Sequence, residues 1–304
     1  MYIDNKKNVY VAGFTKNAKE KTVATLWKNG EAQYLTDGAN FAEANSVFVA
    51  GDDVYVAGKE ENYIDFYNHY YYAKLWKNGV VQPLTDGISS AVSVFVSGND
   101  VYVTGLCKGI VVWKNGIEQI LKSVNNFAET FSVFVAGEDV YVTSFEYGAA
   151  SLWKNGVAQN FYDSKGFTVV RSVFVSGDDV YVVGDIASVA TLWKNGVAQT
   201  LSGGSRAYSV YVSGENVYVA GYVLNDNTKK FVALLWKNGV VQSLTDGGSD
   251  ASALSVFVSG DDVFVSGFEE NEKRIKVATL WKNGVALRLS DGKDHSEARS
   301  VFVV

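Results

Sequence analysis

The chain has 304 residues, 47% of them hydrophobic, with a formal net charge of -6 and a sequence pI of about 5.1. That balance lacks the basic footprint that gathers phosphates, which excludes nucleic acid as an expected partner, and no apolar run approaches the ~18 residues of a membrane span. The lone Cys107 cannot form an intrachain disulfide, and Met1 is followed at once by strand-like sequence, without the basic segment and apolar stretch of a signal peptide.

From the N-terminus the elements read as short strands and tight turns. Asn8 to Gly13 spells NVYVAG, and Leu26 to Gly30 spells LWKNG. The tetrapeptide WKNG returns at Trp76, Trp113, Trp153, Trp193, Trp236 and Trp281, spaced 37 to 49 residues apart. The unit is clearest in the fifth copy. Val173 to Val175 is one strand, Gly177-Asp178-Asp179 a turn and Val180 to Val183 a second strand. Ala190 to Lys194 is a third, Asn195-Gly196 a turn and Val197 to Leu201 a fourth. A type I′ turn needs positive φ at both central residues, which Asn tolerates and Gly permits freely. The nearly continuous apolar runs of the first two strands predict a sheet covered on both faces. A single proline, which cannot donate to a ladder, suits a chain of paired strands.

Four antiparallel strands per unit and a period near 40 residues predict a β-propeller, and seven tryptophans predict seven blades. In chain order the blades fall at 9–35 with 300–304, then 46–84, 93–121, 132–161, 172–201, 209–244 and 255–289. The chain ends in a first strand, Ser300 to Val304, which is expected to complete blade 1 and close a single domain without an open edge. Met1 to Ile3 is a rival for that slot, but only the C-terminal copy keeps the Ser-Val-Phe-Val pattern.

NVYVAGF at Asn8 to Phe14 and NVYVAGY at Asn216 to Tyr222 resemble the bacterial seven-bladed β-propeller repeat, whose core reads Asn-Val-Tyr-Val-Thr-Gly-Tyr. The resemblance covers the whole chain and concerns fold; it brings no common activity. It implies an exported or surface-associated protein. WKNG departs from the plain repeat and marks a variant of it. The Trp-Asp ending of WD40 blades and the regular Gly-Gly of kelch blades are both absent.

The connections divide by face. First-to-second and third-to-fourth turns are short and repeat, so they form one scaffold face. Second-to-third and fourth-to-first loops differ in length and composition and lie opposite, where binding is expected. Just before the expected first strand, the position ahead of Ser-Val holds Asn45, Val92, Phe131, Arg171, Tyr208, Leu254 and Arg299. It is expected at the mouth of the central channel. It reads either as drift at a loop end or as a diversified contact ring, since Tyr and Arg are enriched in binding hot spots. The longest second-to-third loop contains NYIDFYNHYYY, Asn62 to Tyr72. Its aromatics read either as a partner anchor, through Tyr63, Phe66 and Tyr67, or as the start of the third strand.

Catalysis finds little support. His69 and His295 fall in different blades, neither has a second histidine at metal-ligand spacing, and no nucleophile elbow or phosphate loop stands out. Paired acids such as Asp52-Asp53 are turn residues, outside any calcium-ligand series. The expectation is a monomeric, non-catalytic scaffold without metal or cofactor. It recognises a macromolecule, a protein in the first reading, through Asn45, Phe131, Arg171, Tyr208 and Arg299 with the outer tyrosine anchor. A glycan-binding propeller with one site repeated between blades is the alternative, and an enzyme built from carboxylates on unlike loops is the more distant one.

Overall fold

The computed structural model describes residues 7–65, 68–85, 87–124, 128–162 and 166–304. They form seven four-stranded antiparallel sheets, each in chain order from first to fourth strand. The fold is a seven-bladed β-propeller. Blade 1 takes its first strand from the far end of the chain: Ser296–Val303 pairs with Val9–Lys16, placing Val9 opposite Val303 and Thr15 opposite Ser296. The other first strands are Ala42–Ala50, Ser90–Ser97, Ala128–Ala136, Thr168–Ser176, Arg206–Ser213 and Ala251–Ser259.

These first strands lie against one another around the axis. Phe48, Phe95, Phe134, Phe174, Tyr211, Phe257 and Phe302 join into a closed aromatic belt, with neighbouring ring centroids 4.6–4.9 Å apart. That spacing lies in the favourable range for tilted aromatic pairs. The serine of the Ser-Val pattern makes the link to the next blade. Ser46 Oγ accepts from the Val94 amide at 3.2 Å. The same bond joins Ser93 to Val133, Ser172 to Val210, Ser209 to Val256, Ser255 to Val301 and, across the closure, Ser300 to Val47.

The core consists of layers between blades. Trp76 of blade 2 packs on Ala12, Ala24 and Leu26 of blade 1, and Trp27 of blade 1 packs on Phe264 and Leu280 of blade 7. All seven tryptophans are buried. Each leads into a tight turn with positive φ at both residues, as at Asn195 (52°) and Gly196 (81°). The first-to-second turns beside them have positive φ at the glycine, as at Gly177 (59°), with no positive φ at the following Asp178. That pattern is the signature of type II′.

The first strands differ from the sequence expectation. They begin three or four residues before 46, 93, 132, 172, 209, 255 and 300. The residues ahead of Ser-Val are therefore inside the strand, and the ladder skips each of them as a β-bulge. Ala44 and Ser46 are paired while Asn45 is not, and the same break occurs at Val92, Phe131, Arg171, Tyr208, Leu254 and Arg299. A bulge interrupts the alternation from which a strand is recognised, which hides its outer half. It also explains the glycine of the second strand. A Cβ on Gly58 would lie 2.1 Å from the Glu43 carbonyl oxygen. Blade 4 places Ser144 there instead, and its Oγ accepts from Trp153 Nε1 at 2.8 Å.

Candidate functional site

On the scaffold face the Lys-Asn-Gly turn is tied to the turn beside it. Asn195 Oδ1 accepts from the Val180 amide at 2.8 Å, and its Nδ2 donates to Asp179 at 2.7 Å. Lys194 pairs with Asp179 at 2.7 Å while lying over the Tyr181 ring. The Asn-to-amide bond recurs in all seven blades at 2.8 Å. WKNG is thus a buried wedge, a lid over an aromatic ring, a latch and a turn. These side chains are engaged within the blade.

The loop face is less uniformly varied than the sequence reading holds. In blades 1 and 7 the second-to-third loops follow one plan. Asn17 Oδ1 accepts from the Lys19 and Lys21 amides, and Nδ2 donates to the Gly38 carbonyl. Asn271 does the same with Lys273, Ile275 and Gly292. In blade 6, Asn225 caps its loop through the Asn227 and Thr228 amides. The matching fourth-to-first loops repeat Leu-Thr-Asp-Gly or Leu-Ser-Asp-Gly at 35–38, 244–247 and 289–292, with the Asp closing a local turn in each. These shared signals lie in the sequence, spaced as the tryptophans are.

Blade 2 also keeps Leu-Thr-Asp-Gly in sequence at 84–87, and the remaining variation is concentrated in its second-to-third connection and in blades 3 to 5. In blade 2, Asp53–Asp65 and Asn68–Lys77 continue far above the disc as a hairpin, with Asn62 opposite Tyr70 and Tyr63 opposite His69. The expected aromatic loop is therefore a pair of strand arms. Phe66 and Tyr67 lie outside the described residues. Blades 3, 4 and 5 turn back early, with second strands ending at Leu106, Glu146 and Ile186. Counted from the glycine or serine opposite the bulge, the blade 2 strand runs six residues further than that of blade 3. At ~3.3 Å per residue, this makes a wall roughly 20 Å high beside a low floor.

The bulge residues are brought together around the axis, but most are committed to internal contacts. Arg299 Nη1 bonds Glu43 and Asn45 at 2.7 Å, its guanidinium lies over Phe14, and Glu297 and Lys59 complete the network. Burial alone would raise the Glu43 carboxyl, yet Arg299 and Lys59 hold it below its ordinary value. Asn45 also donates to the Ala91 carbonyl at 2.8 Å. This group ties the closing strand to blade 2. Phe131 packs against the blade 4–5 core, and Val92 and Leu254 are half-buried. Arg171 pairs with the buried Asp185 and lies over the Tyr208 ring at 5.3 Å.

Tyr208 leads outward. Its ring is 5.9 Å from Tyr222, which stacks on the exposed Phe231 at 4.7 Å. Burial raises the Tyr222 phenol, so it stays protonated and donor-capable well above neutral pH. Phe145 packs on Phe167 at 4.8 Å across a cleft of about 240 Å³ that includes Arg171, Asp185 and Arg206. Ala187 and Ser188, which border it, both hold positive φ (49° and 62°) without a glycine. Such strain, of order 1–3 kcal/mol per residue, concentrates at functional positions. The arrangement can stack, exclude water and hydrogen-bond. His295 accepts the Lys276 amide through Nδ1, and no cluster of metal-ligating side chains occurs among the described residues.

No known protein family and no curated protein matches the sequence. Solved structures do match in fold. The β-propeller domain of the Trilobed protease from Pyrococcus furiosus superposes with a TM-score of 0.58 at 12% identity, over 94% of this chain and 95% of that one. It is described as having an open velcro topology, whereas Ser296–Val303 closes the ring here. A puromycin-hydrolysing peptidase from Mycobacterium tuberculosis gives a TM-score of 0.60 at 10% identity over 92% of this chain. The chain spans about half of that peptidase, 52% of its length. Identities this low establish the propeller and leave both proteins' activities with them.

Proposed function

We propose that this propeller is a non-catalytic binding scaffold that recognises a protein partner on its loop face, over blades 4 to 6. The observation that supports it is a run of exposed apolar side chains on those blades. Tyr147 and Tyr162 come from blade 4 and its exit, Phe167 and Val189 from blade 5, and Leu224 and Phe231 from blade 6. Tyr162 is 90% exposed and Phe167 58%. Clustered aromatics on one face of a rigid ring are what a partner desolvates, and the closed ring leaves little ordering to be lost on binding. The roles of the bulge residues divide accordingly. Tyr208 stands at the inner edge of the contact, Arg171 positions it, and Arg299 and Asn45 hold the mouth in shape. The burial of all seven tryptophans favours a protein over a repeated glycan site, because it removes the recurrent aromatic platform.

The test is capture of a partner by the full chain, followed by affinity measurement on variants. Tyr162→Ala with Phe167→Ala and Phe231→Ala should weaken binding more than tenfold, about 1.4 kcal/mol, while the chain stays folded and melts only modestly lower through loss of the Phe145–Phe167 and Tyr222–Phe231 contacts. Lys154→Ala with Lys194→Ala on the scaffold face should leave affinity intact. The opposite pattern assigns function to the other side of the disc.

A further inference from the structure

A second cleft, of about 450 Å³, opens at the foot of the blade 2 hairpin, against the short connection of blade 3. Its volume falls in the range of dedicated ligand sites. Ile88, Leu106, Val124 and Ala128 supply apolar surface, and Lys59 and Lys108 stand among them. Among the described residues of the lining there is no carboxylate, although the Glu118 carboxylate acts on the Cys107 thiol and the chain as a whole is acidic. Lys59 shares its charge with Glu43 at 3.3 Å and lies 4.4 Å from the Tyr71 ring centre. Lys108 is exposed and has no ion-pair partner among the described residues. It sits at φ 55° at the tip of a turn closed by the Cys107 amide on the Gly109 carbonyl, where a glycine would be relaxed. A strained, uncompensated cation aimed beside an apolar hollow is a feature the fold does not need. The hairpin adds a wall of peptide length, because Asn68–Lys77 runs six residues beyond its pairing with the fourth strand at Lys74.

We propose that this cleft anchors an extended peptide segment, taking one apolar side chain whose neighbour along the segment is Asp or Glu. The carboxylate meets Lys108, the apolar group fills the hollow, and the segment lies along the hairpin. This inference rests on the protein-partner reading above and names what the partner presents.

Cys107, the chain's only cysteine, lines the cleft at 2% exposure and serves as a built-in reporter. Burial raises its thiol, so it reacts slowly and protection is measurable. In the full chain, an anionic methanethiosulfonate should label Cys107 at least about threefold faster than its cationic counterpart, because the Lys108 ammonium at the cleft draws anions toward it. Lys108→Glu should abolish or invert that order. A capped Gly-Asp-Leu-Asp-Gly peptide at millimolar concentration should slow labelling at least about fivefold at high occupancy, while the Lys-Leu-Lys and Asp-Gly-Asp versions should not. No protection, equal protection by the basic peptide, or protection by a fatty-acid anion in place of the peptide would overturn the proposal. A captured partner that depends on Phe167 and Phe231 yet leaves Cys107 labelling unchanged would overturn this inference alone. Dependence on the scaffold face would instead overturn the protein-partner reading.

Discussion

Asn195 does more than permit a turn. Its carbonyl oxygen and amide nitrogen hold the two scaffold turns of the blade together, and its positive φ makes the hairpin. Gly196→Val forces a β-branched residue to φ 81° and should cost at least about 1–2 kcal/mol in a urea melt, whereas Tyr162→Ala should stay within about 0.5 kcal/mol. Gly58→Ala acts by collision with the Glu43 carbonyl and should cost about 1–3 kcal/mol. The acids in these turns set an acid limit. Hydrogen bonds from Lys77 and Asn78 lower the Asp53 carboxyl, and those from Lys194 and Asn195 lower Asp179. At Asp262 partial burial opposes the shift, but Lys282, Asn283 and Lys7 bring it to about 2. A carboxyl lowered on folding stabilises above its unfolded value, near 3.9, and that stabilisation is lost as pH falls through the folded value. Thermal melts should therefore fall steeply from about pH 5 to pH 2. Replacing Asp53, Asp179 and Asp262 by Asn, as blades 1 and 6 already have at Asn8 and Asn216, should flatten that limb.

At the scale of the strand, legibility depended on regularity. The Asn-Gly turns, the buried tryptophans and the closing strand were readable because turn chemistry and apolar patterning act within a few residues. The outer half of each first strand was not, since a bulge such as that at Asn45 breaks the period of two. The blade 2 hairpin was legible in part: Tyr70 to Tyr72 belong to the third strand, as one reading held, but Asn62 to Tyr72 alternates poorly, and only its register reveals the second arm. That Arg171 and Arg299 are ion-paired within the chain was not legible either. Their partners Asp185 and Glu43 lie 14 and 256 residues away, separations no motif reports. Ser300–Val304 remains the element with the clearest prediction. Its deletion removes Val301 and Val303 from the layer around Trp27 and leaves the Val9–Val11 edge bare. The truncated chain should melt lower or associate, as scanning calorimetry with light scattering would show.

Across the whole disc, the site was legible only as a face. Variation and loop length single out the face on which the proposal is placed, while the low floor over blades 3 to 5 shows only in the structure, where their second strands end early. The closing strand has one more consequence, and it concerns folding. Its Ser-Val-Phe-Val is written almost unchanged in the other first strands, so that pattern does not identify which blade it should complete, and Arg299 finds its Glu43 and Phe14 partners equally in any copy of the chain. What directs Ser296–Val303 to Val9–Lys16 of its own chain is the tether, which holds it at a high effective concentration. When chains are crowded while unfolded, that advantage shrinks, and the strand of one molecule can complete the first blade of another. Refolding at rising protein concentration should therefore yield interlocked dimers with native spectra that separate only on unfolding, while dilute refolding gives monomer alone. A ring sealed by a repeated strand gains its stability from an address that every copy shares.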